Sequence, residues 1–234
     1  MESGLQSFAF PQSRNVNPKR RHTPWFPPPS SPDYASFNPL TDKGAYKNFS
    51  EMVTYMDSKI RVLVNKVKAE GLLSKPVFIV LSDNGSAEGI ISKYKGRTIR
   101  GSKSETNEFG LHVPLIVTGP GVAANAINKN IIDLTDFMPT IAQFAGVSQL
   151  ELSKYGIMDG QSFYNQLAGA NTESRSWSYG YYFPFPTAPT EKRIYVQDTM
   201  YKLYDETNHN YFFNLQKDSL EKQEFKAVLS GMRN

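Results

Sequence analysis

The sequence contains no cysteine. Disulfides, thiolate metal sites and any cysteine-derived nucleophile are therefore excluded from these 234 residues. Histidine is scarce as well: His22, His112 and His209 are not spaced as zinc ligands, and no Ser-His-Asp arrangement is suggested by spacing. No apolar run approaches the roughly 18 residues that cross a bilayer, so no membrane partner is expected. Met1-Glu2-Ser3-Gly4-Leu5-Gln6 shows no basic stretch leading into an apolar one. No signal peptide is expected as written, and the compartment stays open. Charge of one sign is also in short supply. The 26 basic and 22 acidic residues leave a formal charge of +4, which gives no reason to expect nucleic acid as a partner. Lys19-Arg20-Arg21 reads as a solvated basic turn.

What is present suits a folded protein. A 39% hydrophobic and 13% aromatic composition is too rich for a disordered chain. Residues 1–47 are irregular and proline-rich around Trp25-Phe26-Pro27-Pro28-Pro29, where missing donors and fixed φ disfavour helix and central strand. Phe49, Met52, Val53, Met56, Ile60, Leu63, Val64 and Val67 then recur at helical steps. Asn48 is placed to cap that helix, Glu51 to answer it, and Gly71 to stop it.

The run Val77-Phe78-Ile79-Val80-Leu81 reads as a strand buried on both faces, as in a parallel sheet. A glycine-containing loop from Ser82 to about Val113 separates it from a second such strand, Pro114-Leu115-Ile116-Val117. A helix from about Leu134 to Phe144 follows. Beyond residue 150, residues 179–183, 193–197, 201–204 and 211–215 are short aromatic strands joined by turns, with a last helix from Ser219 to about Leu229. The expected fold class is α/β. A mixed, mostly parallel sheet flanked by helices occupies residues 1–150, and a small antiparallel sheet with a terminal helix occupies 151–234.

Three places could carry chemistry. Ser82-Asp83-Asn84-Gly85 follows directly on a strand, at the end where open α/β sheets gather ligands. Asp83 and Asn84 offer two hard oxygens to Ca²⁺ or Mg²⁺, although on these four residues a tight turn is the simpler reading. Lys103 ends the stretch Gly96-Arg97-Thr98-Ile99-Arg100-Gly101-Ser102-Lys103. That stretch nearly matches a phosphate-binding loop, but Ser102 intrudes and it starts too far from the preceding strand. Its lysine remains a point charge for an anion or a solvated loop cation. His22, in Arg21-His22-Thr23-Pro24, is a loop histidine with no partner evident. His112 reads as packing before Val113-Pro114, and His209 as an exposed hairpin residue.

Taken in order, these segments resemble the C-terminal part of the type I sulfatases, of the alkaline phosphatase superfamily. The matching residues are Ser82-Asp83-Asn84-Gly85, Gly101-Ser102-Lys103 and His112-Val113-Pro114-Leu115-Ile116-Val117-Thr118-Gly119-Pro120-Gly121. Asp133-Leu134-Thr135-Asp136-Phe137-Met138-Pro139-Thr140, Asp159-Gly160-Gln161-Ser162 and Tyr201-Lys202-Leu203-Tyr204 continue the likeness, and His22-Thr23-Pro24 and Tyr55-Met56-Asp57 extend it upstream.

The resemblance implies Ca²⁺-dependent hydrolysis of sulfate esters of a sulfated sugar or aryl sulfate. It implies Asp83 and Asn84 as metal ligands, and Lys103 and His22 as catalytic groups that contact the sulfate. The family's nucleophile is a formylglycine made within a Cys/Ser-x-Pro-Ser-Arg motif. Neither that motif nor the early pair of aspartates occurs here, and the near match Pro11-Gln12-Ser13-Arg14 sits too close to His22. By that resemblance the nucleophile and half the metal ligands belong to an N-terminal half outside this chain, which is expected to be inactive by itself. A phosphonate or phosphate monoester hydrolase of the same superfamily, or a non-catalytic metal- or anion-binding protein, remain open as alternatives.

Overall fold

The computed structural model describes residues 25–42, 44, 46–94, 96–169, 174–183, 192–205 and 211–224. His22, Lys19-Arg20-Arg21 and His209 lie outside the described residues. The chain divides into two compact units, Met1–Val62 and Leu63–Asn234.

In the first unit the proline-rich stretch crosses the start of helix α1 (Tyr46–Ala69), whose later part belongs to the second unit. The Trp25 ring meets Tyr46 edge-on at 6.0 Å. A side chain at Gly44, held at φ +69°, would collide with the Trp25 backbone. Asn48 is not a cap. It lies inside the helix, buried, and its Nδ2 donates to the Trp25 carbonyl at 2.9 Å. A polar side chain near a helix start fits either role, and here a carbonyl brought in from 23 residues away claims it. The helix stops at Gly71, at φ +69°, a left-handed position that favours glycine.

Among the described residues the second unit holds three sheets. Strand β1 (Phe78–Leu81) is followed by the hairpin β2 (Ile91–Tyr94) and β3 (Arg97–Arg100), then helix α2 (Glu108–Leu111) and strand β4 (Leu115–Thr118). A 3₁₀ turn, Leu134–Asp136, leads into helices α3 (Phe137–Phe144), α4 (Gln149–Ser153) and α5 (Tyr164–Leu167). Strands β5 (Ser178–Tyr182), β6 (Arg193–Gln197), β7 (Tyr201–Tyr204) and β8 (Phe212–Asn214) form one sheet in that order.

The α/β class and the small C-terminal antiparallel sheet are as expected, but the mostly parallel sheet is not. Strand β1 pairs with β4 antiparallel, Phe78 opposite Thr118 and Leu81 opposite Leu115, and every strand pair among the described residues is antiparallel. An uninterrupted apolar run reports burial and says nothing about strand direction. Here the long connection brings the chain back along β1 from the far end. The expected loop from Ser82 to Val113 also contains regular structure, the β2–β3 hairpin and α2. The terminal helix does not begin at Ser219: residues 219–224 are turn and irregular backbone, with Glu221 at φ +53°, and the rest of that segment lies outside the described residues.

Two buried clusters hold the second unit together. Phe163 meets Phe137 edge-on at 5.3 Å, and its amide donates to the Thr140 hydroxyl at 3.0 Å. Around this cluster Asp136, 2% exposed, receives Arg175 through Nε at 3.1 Å and Nη2 at 2.5 Å, and the Gln161 amide at 2.7 Å. The second cluster joins Tyr204, Phe213 and Leu215, with Tyr195 against it.

Candidate functional site

The two loops that carry the sequence candidates are tied together through their backbones. The Lys103 amide donates to the Ser86 carbonyl at 2.9 Å, the Gly101 amide to Ile90 at 2.8 Å, and the Gly85 amide to Gly110 at 2.9 Å. Three glycines permit this approach. A methyl group would strike the Phe109 carbonyl from Gly85, the Ser86 and Ala87 carbonyls from Gly101, and the Glu105 and Ser102 carbonyls from Gly110. Within the first loop the Ser82 hydroxyl donates to the Asn84 carbonyl at 2.8 Å, making the tight turn that the Asp-Asn-Gly sequence suggested. Asp83 is exposed, and Asn84 and Lys103 are half-buried.

Asp83, Asn84 and Lys103 thus sit on one knitted pair of loops, while His22 lies outside the described residues. No group of three or more His, Cys, Asp or Glu side chains gathers among the described residues. Asp83 and Asn84 supply two oxygens where Ca²⁺ takes six to eight. The described residues therefore do not complete a metal seat.

Sequence reasoning missed the brace beneath Lys103. Lys202 on β7 is fully buried, and its ammonium donates to the Thr106 carbonyl and to Glu221 at 3.0 Å. The Tyr204 hydroxyl donates to Glu221 at 2.6 Å and lies 2.7 Å from the Thr106 hydroxyl. Arg193 on β6 adds a 2.6 Å contact to Glu105. Burial pulls the Lys202 pKa down, against the opposing pull of the Glu221 carboxylate. It pushes Glu221 up, against the pull of Lys202. Tyr195, over whose ring the Lys202 ammonium sits at 4.2 Å, is pushed by burial up to about 12. One signal pointed here: strand alternation puts Lys202 and Tyr204 on the same face of β7.

Next to the brace, Asn107 caps α2 by accepting from the Phe109 and Gly110 amides. Burial of Glu108 works to raise its pKa, but the hydrogen bond and charge of His112, with Lys202, outweigh it and hold Glu108 low. Glu108 in turn raises exposed His112, 3.3 Å away.

The Asp83–Asn84 turn thus follows directly on β1 in a mixed α/β unit, with the Lys103 loop hydrogen-bonded to it. The sulfatase family model matches residues 16–147, and that of the N-sulphoglucosamine sulphohydrolase C-terminal region matches residues 103–230. The chain belongs to the sulfatase family. It is 27% identical over 170 residues to the N-acetylglucosamine-6-sulfatase of Bos taurus, a match covering 73% of this chain and 29% of that protein. The chain thus spans under a third of the length of the curated relatives it matches first.

Its fold is shared by solved structures, among them the following two. One, a complex with its substrate D-glucosamine-2-N,6-O-disulfate, has a TM-score of 0.58 and 21% identity, covering 76% of this chain and 36% of its own. The phosphonate monoester hydrolase of Silicibacter pomeroyi has a TM-score of 0.56 and 18% identity, covering 82% and 40%. No helix among the described residues is long and apolar enough to cross a membrane.

Proposed function

We propose that this chain is part of a sulfuric ester hydrolase acting on a sulfated sugar, with Lys103 as the cation that meets the sulfate. The observation that carries the reading is the hydrogen-bonded union of the Asp83–Asn84 turn with the Lys103 loop in a member of the sulfatase family. The name of the Bos taurus relative and the sugar disulfate bound in the solved neighbour support a sulfated sugar as the substrate class. A fixed ammonium answers charge that grows on the sulfuryl oxygens as the ester bond breaks. His22 would donate a proton to the departing alcohol or hydrogen-bond the sulfate. Asp83 and Asn84 would contribute two oxygens to a hard-cation site for Ca²⁺, or Mg²⁺, completed by groups beyond these residues. The 234 residues contain neither a cysteine nor a Ser-x-Pro-Ser-Arg segment from which the nucleophile that the resemblance implies could form.

In a protein joining this chain to a nucleophile-bearing sulfatase segment, we expect hydrolysis of N-acetylglucosamine-6-sulfate or 4-nitrophenyl sulfate. Lys103→Ala is expected to lower turnover there by roughly 100-fold or more with the fold retained, and unchanged turnover would show the lysine to be misassigned. A second reading, a phosphonate monoester hydrolase, has the fold of the Silicibacter pomeroyi enzyme in its favour. Cleavage of phenyl phosphonates without cleavage of sulfate esters would replace the first reading by the second.

A further inference from the structure

The net positive charge of the chain is accounted for by one short segment. Residues 91–103 hold five basic side chains and no acidic one, leaving 21 basic against 22 acidic residues everywhere else. Most of that segment is the β2–β3 hairpin, which runs between the Asp83–Asn84 turn and Lys103. Its base is fixed: Ile90 is buried, and its carbonyl accepts the Gly101 amide. Its body stands in solvent on both faces. Strand register places Lys93 opposite Thr98 and Tyr94 opposite Arg97, all of them exposed, with Tyr94 at 60%. Arg100, at the base, pairs with Glu88 at 3.7 Å, whereas Lys93 and Arg97 make no ion pair among the described residues.

Four residues of strand reach roughly 13 Å. Cations at the base and near the tip are thus farther apart than one sulfate group can bridge. Concentrating like charges on an exposed hairpin gives nothing to the fold and costs self-repulsion. An extended polyanion gains from such an arrangement through release of its counterions, and the exposed ring of Tyr94, across from Arg97 on one face while Lys93 stands on the other, offers an apolar face to a sugar ring.

We propose that the β2–β3 hairpin is a binding subsite for a sulfated oligosaccharide, in which Lys93 and Arg97 hold sulfate groups on sugars beyond the one placed at Lys103. The location of that first sugar rests on the sulfatase reading of the loops. The hairpin's affinity for the saccharide does not need catalysis.

The test is direct binding of a heparin tetrasaccharide to the full chain by calorimetry at several salt concentrations. Lys93→Ser/Arg97→Ser is expected to weaken binding by roughly tenfold at low salt and to flatten its salt dependence. Lys75→Ser/Lys217→Ser, which removes the same charge elsewhere, is expected to leave binding unchanged. Both pairs lie on the surface, and equal thermal midpoints confirm that folding is intact. Equal weakening by the two double variants would reduce the effect to net charge and overturn the subsite. So would retention of affinity by the desulfated tetrasaccharide, or equally tight hairpin-dependent binding of a single-stranded oligonucleotide. Hairpin-dependent saccharide binding in a complete protein that cleaves no sulfate ester would sink the hydrolase reading and leave the subsite standing. Sulfate ester cleavage with no hairpin-dependent binding would do the reverse.

Discussion

Charged side chains in this molecule fall into two populations that differ in burial. Under the Lys103 loop, Lys202 and Glu221 are 0% and 8% exposed at their side chains and are answered from every side by Thr106, Tyr204 and each other. On the hairpin just before that loop, Lys93 and Arg97 stand in water. The buried group organises the backbone, and the exposed group is available to a ligand. Desolvation decides the difference, because a buried charge is tolerated only when fully paired. A charge left unpaired must therefore remain at the surface.

The contrast is sharpest if one buried partner is removed. Lys202→Met leaves Glu221 buried without its cation and is expected to cost about 3–5 kcal/mol, read as a fall in the urea midpoint. Adding Glu221→Leu should recover much of that loss, and a double variant no more stable than the single would show that the two do not act as a pair. Asp136→Asn strips one charge from the two-pronged contact with Arg175, which is 9% exposed at its side chain. The expected loss is about 2–3 kcal/mol.

Gly101→Ala drives a methyl group into the Ser86 and Ala87 carbonyls and should cost about 1–3 kcal/mol. It should also speed hydrogen exchange at the Lys103 amide, and unchanged exchange would mean that the close approach is not what holds the loops together. Lys93→Ser should shift stability by no more than about 0.5 kcal/mol.

The smallest effect concerns pH. His112 has a raised pKa in the folded chain, so the stability it contributes is fully present below its unfolded value near 6.5 and fades as pH rises through the raised one. His112→Gln should flatten that part of the stability profile. A wild-type profile already flat there would show that the contact with Glu108 has no effect on stability.

Much of this was legible in the residues. The C-terminal strands follow from aromatic runs split by turn residues, and β6 and β7 match the expected bounds. The helix ahead of Phe144 and the turn at Asp83 were legible as well, because each depends on neighbours along the chain. What stayed hidden depends on distant partners. The antiparallel pairing of β1 with β4 needs the path of the connection. The role of Asn48 needs Trp25, and the brace at Lys202 needs Thr106, 96 residues away. Lys93 and Arg97 were visible only as loop charges, since periodicity over four residues does not announce a hairpin.

The separation of 96 residues between Lys202 and Thr106 also sets an order of events during synthesis. A nascent chain emerges N-terminus first. The segment containing Lys103 leaves the ribosome long before β7 exists to clasp it, and closing so wide a contact is entropically slow. Until then the two loops rely on their own backbone hydrogen bonds, and the clasp comes only once β7 has been translated.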